Sequence, residues 1–354
     1  MAKILMKGNE AFGRAAIEAG CHYFFGYPIT PQSELPEYLS RELPKVGGAF
    51  VQAESEVAAI NMVYGAAGAG ARVMTSSSSP GISLKQEGIS YIAGADLPCL
   101  IVNIVRGGPG LGGIQPAQSD YFQATKGGGH GDYHLLVYAP SSVQELADLT
   151  STAFDKADKY RMPAMIMGDG MLGQMMEPVE FNEYIDPESL PEKPWATTGT
   201  GMKRKKNIVN SLYLTPEELE NLCIEREKRY NTIRETESLY EEINTEDADL
   251  IIVAYGTIAR IAMSAVEEAR NNGLKVGLIR PITLWPFPAK VFEKRAETAK
   301  SFLCVEMSMG QMIEDVKLSV NGKKPVYFYG RTGGMVPQQD AILEEIKKCL
   351  DANA

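Results

Sequence analysis

The sequence predicts an α/β protein whose larger part is a doubly wound, mostly parallel sheet. Short apolar runs recur through the first half. They are continuous instead of alternating, as strands covered on both faces require. Helical patterns separate them, giving a βαβα order. Polar motifs also stand where apolar runs end: Gly26-Tyr27-Pro28-Ile29-Thr30-Pro31, Gln52-Ala53-Glu54-Ser55-Glu56 and Arg106-Gly107-Gly108-Pro109. Parallel sheets bind ligands at such strand ends.

In chain order, the apolar runs are residues 49–51, 72–75, 100–105, 135–138 and 164–167. The helical patterns between them cover 10–19, 54–69, 84–93 and 143–160. From about residue 182 the texture changes. Pro187, Pro191 and Pro194 interrupt it, and the basic run Lys203-Arg204-Lys205-Lys206 follows. A charged helix then starts at Thr215-Pro216-Glu217-Glu218. Thr215 can cap it, Pro216 suits the first helical position, and Glu218 completes a capping box. The α/β rhythm returns at residue 247, with strand candidates at 250–255, 276–279, 302–305 and 326–329. The expected division is an α/β domain over 1–185, a linker with a surface helix over 186–246, and a smaller α/β domain over 247–354. A length of 354 residues accommodates two domains.

Composition narrows the function. Hydrophobic residues make up 44% and charged residues 23%, which fits a globular protein in water. No apolar run reaches membrane-spanning length. The amino terminus lacks an apolar h-region and a cleavage site, so the cytosol is the expected compartment. A net charge of −10 argues against nucleic acid as partner. The basic run has no aromatic residues interleaved and reads as a solvated loop. Cys21, Cys99, Cys223, Cys304 and Cys349 form no Cys-x-x-Cys, so no iron–sulfur or zinc site is expected in this chain. His22, His130 and His134 show no metal-ligand spacing, and no metal site is expected.

The polar motifs supply one hydroxyl, one carboxylate and one guanidinium. In a helix over 54–69, Glu56, Ile60, Val63 and Ala67 share one face. Glu56 would then end a buried stripe. Burial opposes its charged form, while the helix N-terminus favours the anion. A carboxylate between those effects suits proton exchange with a cofactor nitrogen. Glu54 points elsewhere. Taken alone, Glu56 reads first as a stabiliser of the helix start; the flanking motifs favour the functional reading. Thr30 reads both as a helix cap before Pro31 and as a hydroxyl at the sheet edge. Arg106 enters a glycine-rich loop, where a guanidinium can pair a carboxylate bidentately; otherwise it is a surface arginine.

Other signals are weaker. The glycines of 65–70 fall late in a helix and do not match a dinucleotide fingerprint. Ser76-Ser77-Ser78-Ser79-Pro80-Gly81 could cradle phosphate, but a turn capping the next helix is the preferred reading. Gly168-Asp169-Gly170 opens like a magnesium-diphosphate motif. The asparagine that should follow is missing, so the triplet reads as a strand-end turn.

These motifs, together with Pro116-Ala117-Gln118-Ser119-Asp120, His130-Gly131-Asp132-Tyr133 and Ala139-Pro140-Ser141-Ser142, resemble the alpha subunits of 2-oxoacid:ferredoxin oxidoreductases. Tyr255-Gly256-Thr257, Glu306-Met307-Ser308-Met309-Gly310-Gln311 and Gly330-Arg331-Thr332-Gly333-Gly334 extend the likeness over nearly the whole chain. It is closest to the subunit type of 2-oxoisovalerate oxidoreductases. The resemblance implies a thiamine pyrimidine-binding domain followed by a transketolase C-terminal-like domain. It implies that Glu56 bonds the aminopyrimidine, beside Tyr27, Pro28 and Ile29. It also implies that Thr30 and Arg106 hold the 2-oxoacid carboxylate. Thiamine diphosphate would be shared with a partner beta subunit, which would hold the diphosphate and magnesium. Further subunits would carry iron–sulfur clusters, coenzyme A would take the acyl group, and ferredoxin the electrons.

Relatives that look specific for 2-oxoglutarate often carry a Thr-Arg pair just before Pro-Ala-Gln. Here Ile114 and Gln115 stand there, without a cation. The resemblance therefore implies a branched aliphatic 2-oxoacid such as 2-oxoisovalerate. The alternatives are 2-oxoglutarate as substrate or a non-catalytic scaffold subunit; a nucleotide-binding dehydrogenase is disfavoured by the missing fingerprint.

Overall fold

A computed structural model describes residues 3–352. In chain order, the strands of the first half are β1 (Ile4–Lys7), β2 (Tyr23–Gly26), β3 (Ala49–Gln52), β4 (Val73–Ser77), β5 (Cys99–Val105), β6 (Leu136–Tyr138), β7 (Pro163–Asp169) and β8 (Met176–Val179). The second half adds β9 (Tyr240–Ile243), β10 (Leu250–Val253), β11 (Val276–Pro281), β12 (Thr283–Trp285), β13 (Ser301–Glu306) and β14 (Val326–Gly330). The first sheet runs β12-β6-β7-β5-β4-β2-β3, the second β14-β13-β10-β11-β9, and β1 pairs with β8 in a separate ribbon. Pairing is parallel except at β12, at β9 and in the ribbon. Every residue of β5 and β7 is buried, which is why their sequences read as unbroken apolar runs.

The helices are α1 (Gly8–Glu18), α2 (Glu34–Glu42), α3 (Glu56–Gly68), α4 (Ser79–Gly94), α5 (Tyr121–Thr125), α6 (Val143–Tyr160), α7 (Gly170–Gln174), α8 (Pro216–Thr236), α9 (Gly256–Asn271), α10 (Ala289–Arg295), α11 (Met312–Val320) and α12 (Gln339–Asp351). In the first sheet, α1 packs on α2 and α6, while α3 packs on α4. In the second, α9 packs on α12 and α10 on α11. No helix among the described residues is long and apolar enough to cross a membrane.

Among the helix starts that differ from expectation, two matter for the site. The helix expected from 54 begins at Glu56, because Ser55 takes the cap position and its hydroxyl accepts from Ala58 N at 3.1 Å. The helix expected from 84 begins at Ser79. Its cap comes from the neighbouring strand: Ser79 N donates to Asn103 Oδ1 at 3.1 Å. A cap supplied across the sheet leaves no local sequence signal. At α8, Pro216 takes the first position as expected, but the Thr215 side chain makes no capping bond.

Sheet membership also crosses the expected boundaries. β9, inside the stretch read as linker, pairs antiparallel with β11, and β12 returns from the second half to close the edge of the first sheet beside β6. The linker helix is no mere surface element either. It buries Arg226, Tyr230 and Ile233, and Tyr230 meets Trp285 edge-on at 5.5 Å. β9 reads Tyr-Glu-Glu-Ile and β12 Thr-Leu-Trp, neither of them an unbroken aliphatic run, and distant partners define them.

Candidate active site

The carboxyl ends of β2, β3, β4, β5 and β7 lie along one edge of the first sheet. From β2 the chain moves outward to β3, then crosses back to place β4 and β5 on the other side. Strand order thus changes direction beside β2, where open α/β sheets form ligand crevices. Thr30 follows β2, Glu56 follows β3, Ser78 and Ser79 follow β4, and Arg106 follows β5.

Glu56 is the first residue of α3 and is 6% exposed, on a stripe with the buried Ile60, Val63 and Ala67. Glu54 stays in the preceding turn, exposed. The Glu56 side chain lies against Gly81 of α4. A Cβ at Gly81 would fall 2.7 Å from Glu56 Oε1 and 2.0 Å from Ser77 Oγ, so only glycine admits this approach. Among the described residues, none donates a hydrogen bond to the Glu56 carboxylate. Ser77 Oγ, which meets the same Gly81 position, is buried without a partner, as are Ser78 Oγ and Gln32 Nε2 in the segments that follow β4 and β2. Such concentrated unmet polarity is unusual in a folded core and makes this edge the candidate ligand site.

Arg106 is buried and does not present a free fork. Its Nη1 donates to the Thr30 carbonyl at 2.9 Å and its Nη2 to the Leu111 carbonyl at 3.1 Å, while Nε has no partner. Its backbone N donates to Ser79 Oγ at 3.1 Å. Arg106 thus ties the turn after β2 to the loop after β5. That loop doubles back: Arg106 bridges to Pro116, and Gly107 N donates to the Gln115 carbonyl at 3.0 Å. Ile114 and Gln115 are thereby returned beside Thr30, and all three line a cleft of about 580 Å³ with Pro31, Glu34 and Met171. No arginine or lysine is among the lining residues. Tyr27 and Pro28 are exposed and Ile29 half-buried; none of them lines this cleft.

The structure gives roles to motif residues that were not expected in the site. Asp169 caps α7, accepting from Met171 N at 2.8 Å and Leu172 N at 3.0 Å, and also takes the Thr257 hydroxyl from the second sheet. Burial pushes its carboxyl above the ordinary range. Gln118 locks the two sheets together. Its amide donates to the Tyr255 carbonyl and accepts from Met307 N, both at 2.9 Å. Glu306 takes the N–H groups of Met312 and Ile313, each at 3.0 Å, as the cap of α11. Burial raises its pKa. The motif segments of the two halves therefore meet at one interface. Lys85 on α4, fully buried, was missed. Among the described residues, no group of three or more His, Cys, Asp or Glu could hold a metal ion.

Comparison with known proteins places this arrangement. Residues 14–243 match the family described as pyruvate flavodoxin/ferredoxin oxidoreductase, thiamine diphosphate-binding, and residues 248–342 match pyruvate:ferredoxin oxidoreductase core domain II. The chain belongs to the 2-oxoacid:ferredoxin oxidoreductase family. Ketoisovalerate oxidoreductase subunit VorB of Methanothermobacter marburgensis is 52% identical over 98% of each chain. 2-Oxoglutarate synthase subunit KorA of Methanothermobacter thermautotrophicus is 37% identical over 97% of this chain and 98% of its own. Among solved structures, 2-oxoglutarate:ferredoxin oxidoreductase from Magnetococcus marinus, with 2-oxoglutarate, coenzyme A and succinyl-CoA bound, matches with a TM-score of 0.87 at 29% identity. That match covers 98% of this chain and 65% of the solved one. A split-gene transketolase, at 13% identity and a TM-score of 0.62, shares the fold alone.

Proposed function

We propose that this chain is the alpha subunit of a cytoplasmic, thiamine-diphosphate-dependent enzyme that converts a branched-chain 2-oxoacid and coenzyme A to acyl-CoA and carbon dioxide, with ferredoxin taking the two electrons. The observation that carries it is Glu56: buried, at a helix start on the ligand edge, and without a hydrogen-bond donor of its own. Such a carboxylate fits the pyrimidine end of the cofactor, whose ring nitrogen can exchange a proton with it. The diphosphate end finds no match. Asp169 would have to hold its metal, yet both of its oxygens already serve Met171, Leu172 and Thr257. A partner beta subunit is therefore expected to supply the diphosphate and magnesium site.

When bound, the cofactor supplies the nucleophilic carbon and the electron sink. This chain orients and protonates. Glu56 exchanges the proton at the ring, with Tyr27, Pro28 and Ile29 as the backbone beside it. Thr30 offers its exposed hydroxyl to the 2-oxoacid carboxylate. Arg106 acts mainly by fixing Thr30 and the 106–116 loop, and its buried Nε has no partner. Iron–sulfur clusters are expected on other subunits. Burial pushes the Cys21 and Cys99 thiols up to about 12, so neither offers a thiolate ligand.

The cleft supports a branched substrate. Ile114 and Gln115 bring no cation to it, and Glu34 is its one charged lining residue. A second substrate carboxylate would be buried there without a partner. The test is kcat/KM of the reconstituted complex for 2-oxoisovalerate, pyruvate and 2-oxoglutarate. The branched acid should be preferred, and Gln115→Arg should lower its use. A clear preference for 2-oxoglutarate would overturn the assignment of substrate.

A further inference from the structure

Behind Glu56 lies a buried amine. Gly81, Lys85 and Gly88 occupy one face of α4 by their spacing. The two glycines set that face against α3. A Cβ at Gly81 would fall 2.7 Å from Glu56 Oε1, and one at Gly88 would fall 2.4 Å from Ile60 Cγ2. Lys85 falls between these contacts and is fully buried. Its Nζ donates to Thr75 Oγ1 at 2.7 Å and to the Ser76 carbonyl at 3.0 Å. Thr75 spends its own proton on the Phe25 carbonyl at 2.6 Å, so its hydroxyl is oriented to accept from Lys85.

Lys85 makes no ion pair within 4 Å among the described residues; the charge whose field reaches it is Glu56. Its hydrogen-bond partners are the Thr75 hydroxyl and Ser76 carbonyl from β4, and the titratable group that acts on it is Glu56 from α3. A methionine would fill this space without the desolvation that an ammonium suffers. An amine kept here acts on the one charge beside it.

We propose that Lys85 is a positioning residue for proton exchange at Glu56, its buried ammonium biasing the carboxyl toward its ionised form so that the proton is released to the cofactor ring. This rests on the reading of Glu56 as the proton-exchanging group. In a dry site, a neighbouring cation favours the carboxylate strongly and is little screened by salt. Burial holds the Lys85 ammonium down at about 7, with Glu56 pulling the other way. As pH rises through that value the ammonium loses its proton and with it the field it exerts on Glu56, and exchange slows.

The first readout needs no cofactor: nitrogen NMR titration of the lysine amines in the full chain. One amine should titrate near pH 7, vanish in Lys85→Met, and titrate at lower pH in Glu56→Gln, where the stabilising anion is gone. The second is exchange of the thiamine C2 proton in the reconstituted complex. Lys85→Met should slow it about tenfold near neutral pH, the size expected when a neighbouring charge worth about one pKa unit is removed. Lys85→Arg, which stays charged, should keep it fast to higher pH. An amine that titrates identically in Glu56→Gln, or a Lys85→Met exchange profile equal to wild type, would overturn the proposal. Wild-type exchange in Glu56→Gln would instead overturn the underlying reading of Glu56. Should Lys85→Met fail to fold, the titrations of wild type and Glu56→Gln still decide the matter.

Discussion

Glu56 and Glu54 stand two positions apart, yet one opens α3 inside a buried stripe and the other is exposed in the turn before it. Glu56→Gln keeps the shape and loses the exchangeable proton. It should slow C2-proton exchange in the assembled enzyme by ~10²–10⁴-fold, while Glu54→Gln stays near wild type. Equal losses in the two variants would show that the wrong carboxylate had been identified. Glu56 was legible in the sequence because a helix repeats its faces at fixed spacing. Arg106 was legible as a residue but not as a geometry. Its main partners are carbonyls, one of them 76 positions away. Lysine has one nitrogen where Arg106 uses two, so Arg106→Lys should release either Thr30 or the loop. The expected outcome is a higher KM for the 2-oxoacid and lower turnover, with cofactor affinity little changed; Thr30→Val should act in the same direction more mildly. Unaltered steady-state constants in both variants would remove these residues from substrate binding. Lys85 was not legible. A lysine second from the expected start of a helix gives no cue of burial, and only the true start at Ser79 puts it on the stripe with Gly81 and Gly88.

Among the elements, α8 shows most clearly what the sequence withheld. Its charged surface was visible, but its anchor is an aromatic cluster drawn from three distant segments. His134 stacks on Trp285 at 4.5 Å and meets Tyr230 edge-on at 5.2 Å. Burial pushes the His134 imidazole down to about 4, with the Arg234 guanidinium adding to the effect. The ordinary imidazole value is about 6.5. Between these values the unfolded chain binds a proton that the folded one refuses, so stability falls as pH drops through that window. His134→Phe keeps a ring in the cluster and should flatten that part of the pH profile. Unfolding midpoints measured from pH 7 to 4.5 should show a smaller drop for the variant; parallel profiles would mean that other groups govern the loss. The central strands β5 and β7 were readable because burial on both faces writes itself as an apolar run. β9 and β12 were not, since short edge strands exist through partners far along the chain.

At the scale of the whole molecule, two sheets meet through bonds that join their motif segments. Gln118 reaches Tyr255 and Met307, and Tyr121 OH donates to Asp315 Oδ2 at 2.6 Å. Gly334 lets the second half close over Gln115, where a Cβ would fall 2.4 Å from Gln115 Cβ. The cleft therefore has walls from both halves, while the Glu56 edge belongs to the first sheet alone. On this chain Glu56 offers a buried carboxylate that accepts no hydrogen bond among the described residues, whereas both oxygens of Asp169 in the Gly168–Gly170 turn already accept hydrogen bonds. The most direct test is calorimetric binding of thiamine diphosphate with magnesium, first to this chain alone and then to its complex with the beta subunit. Weak binding to the chain and tight, magnesium-dependent binding to the complex are expected. Tight, magnesium-dependent binding to the chain by itself would contradict a site shared between two subunits.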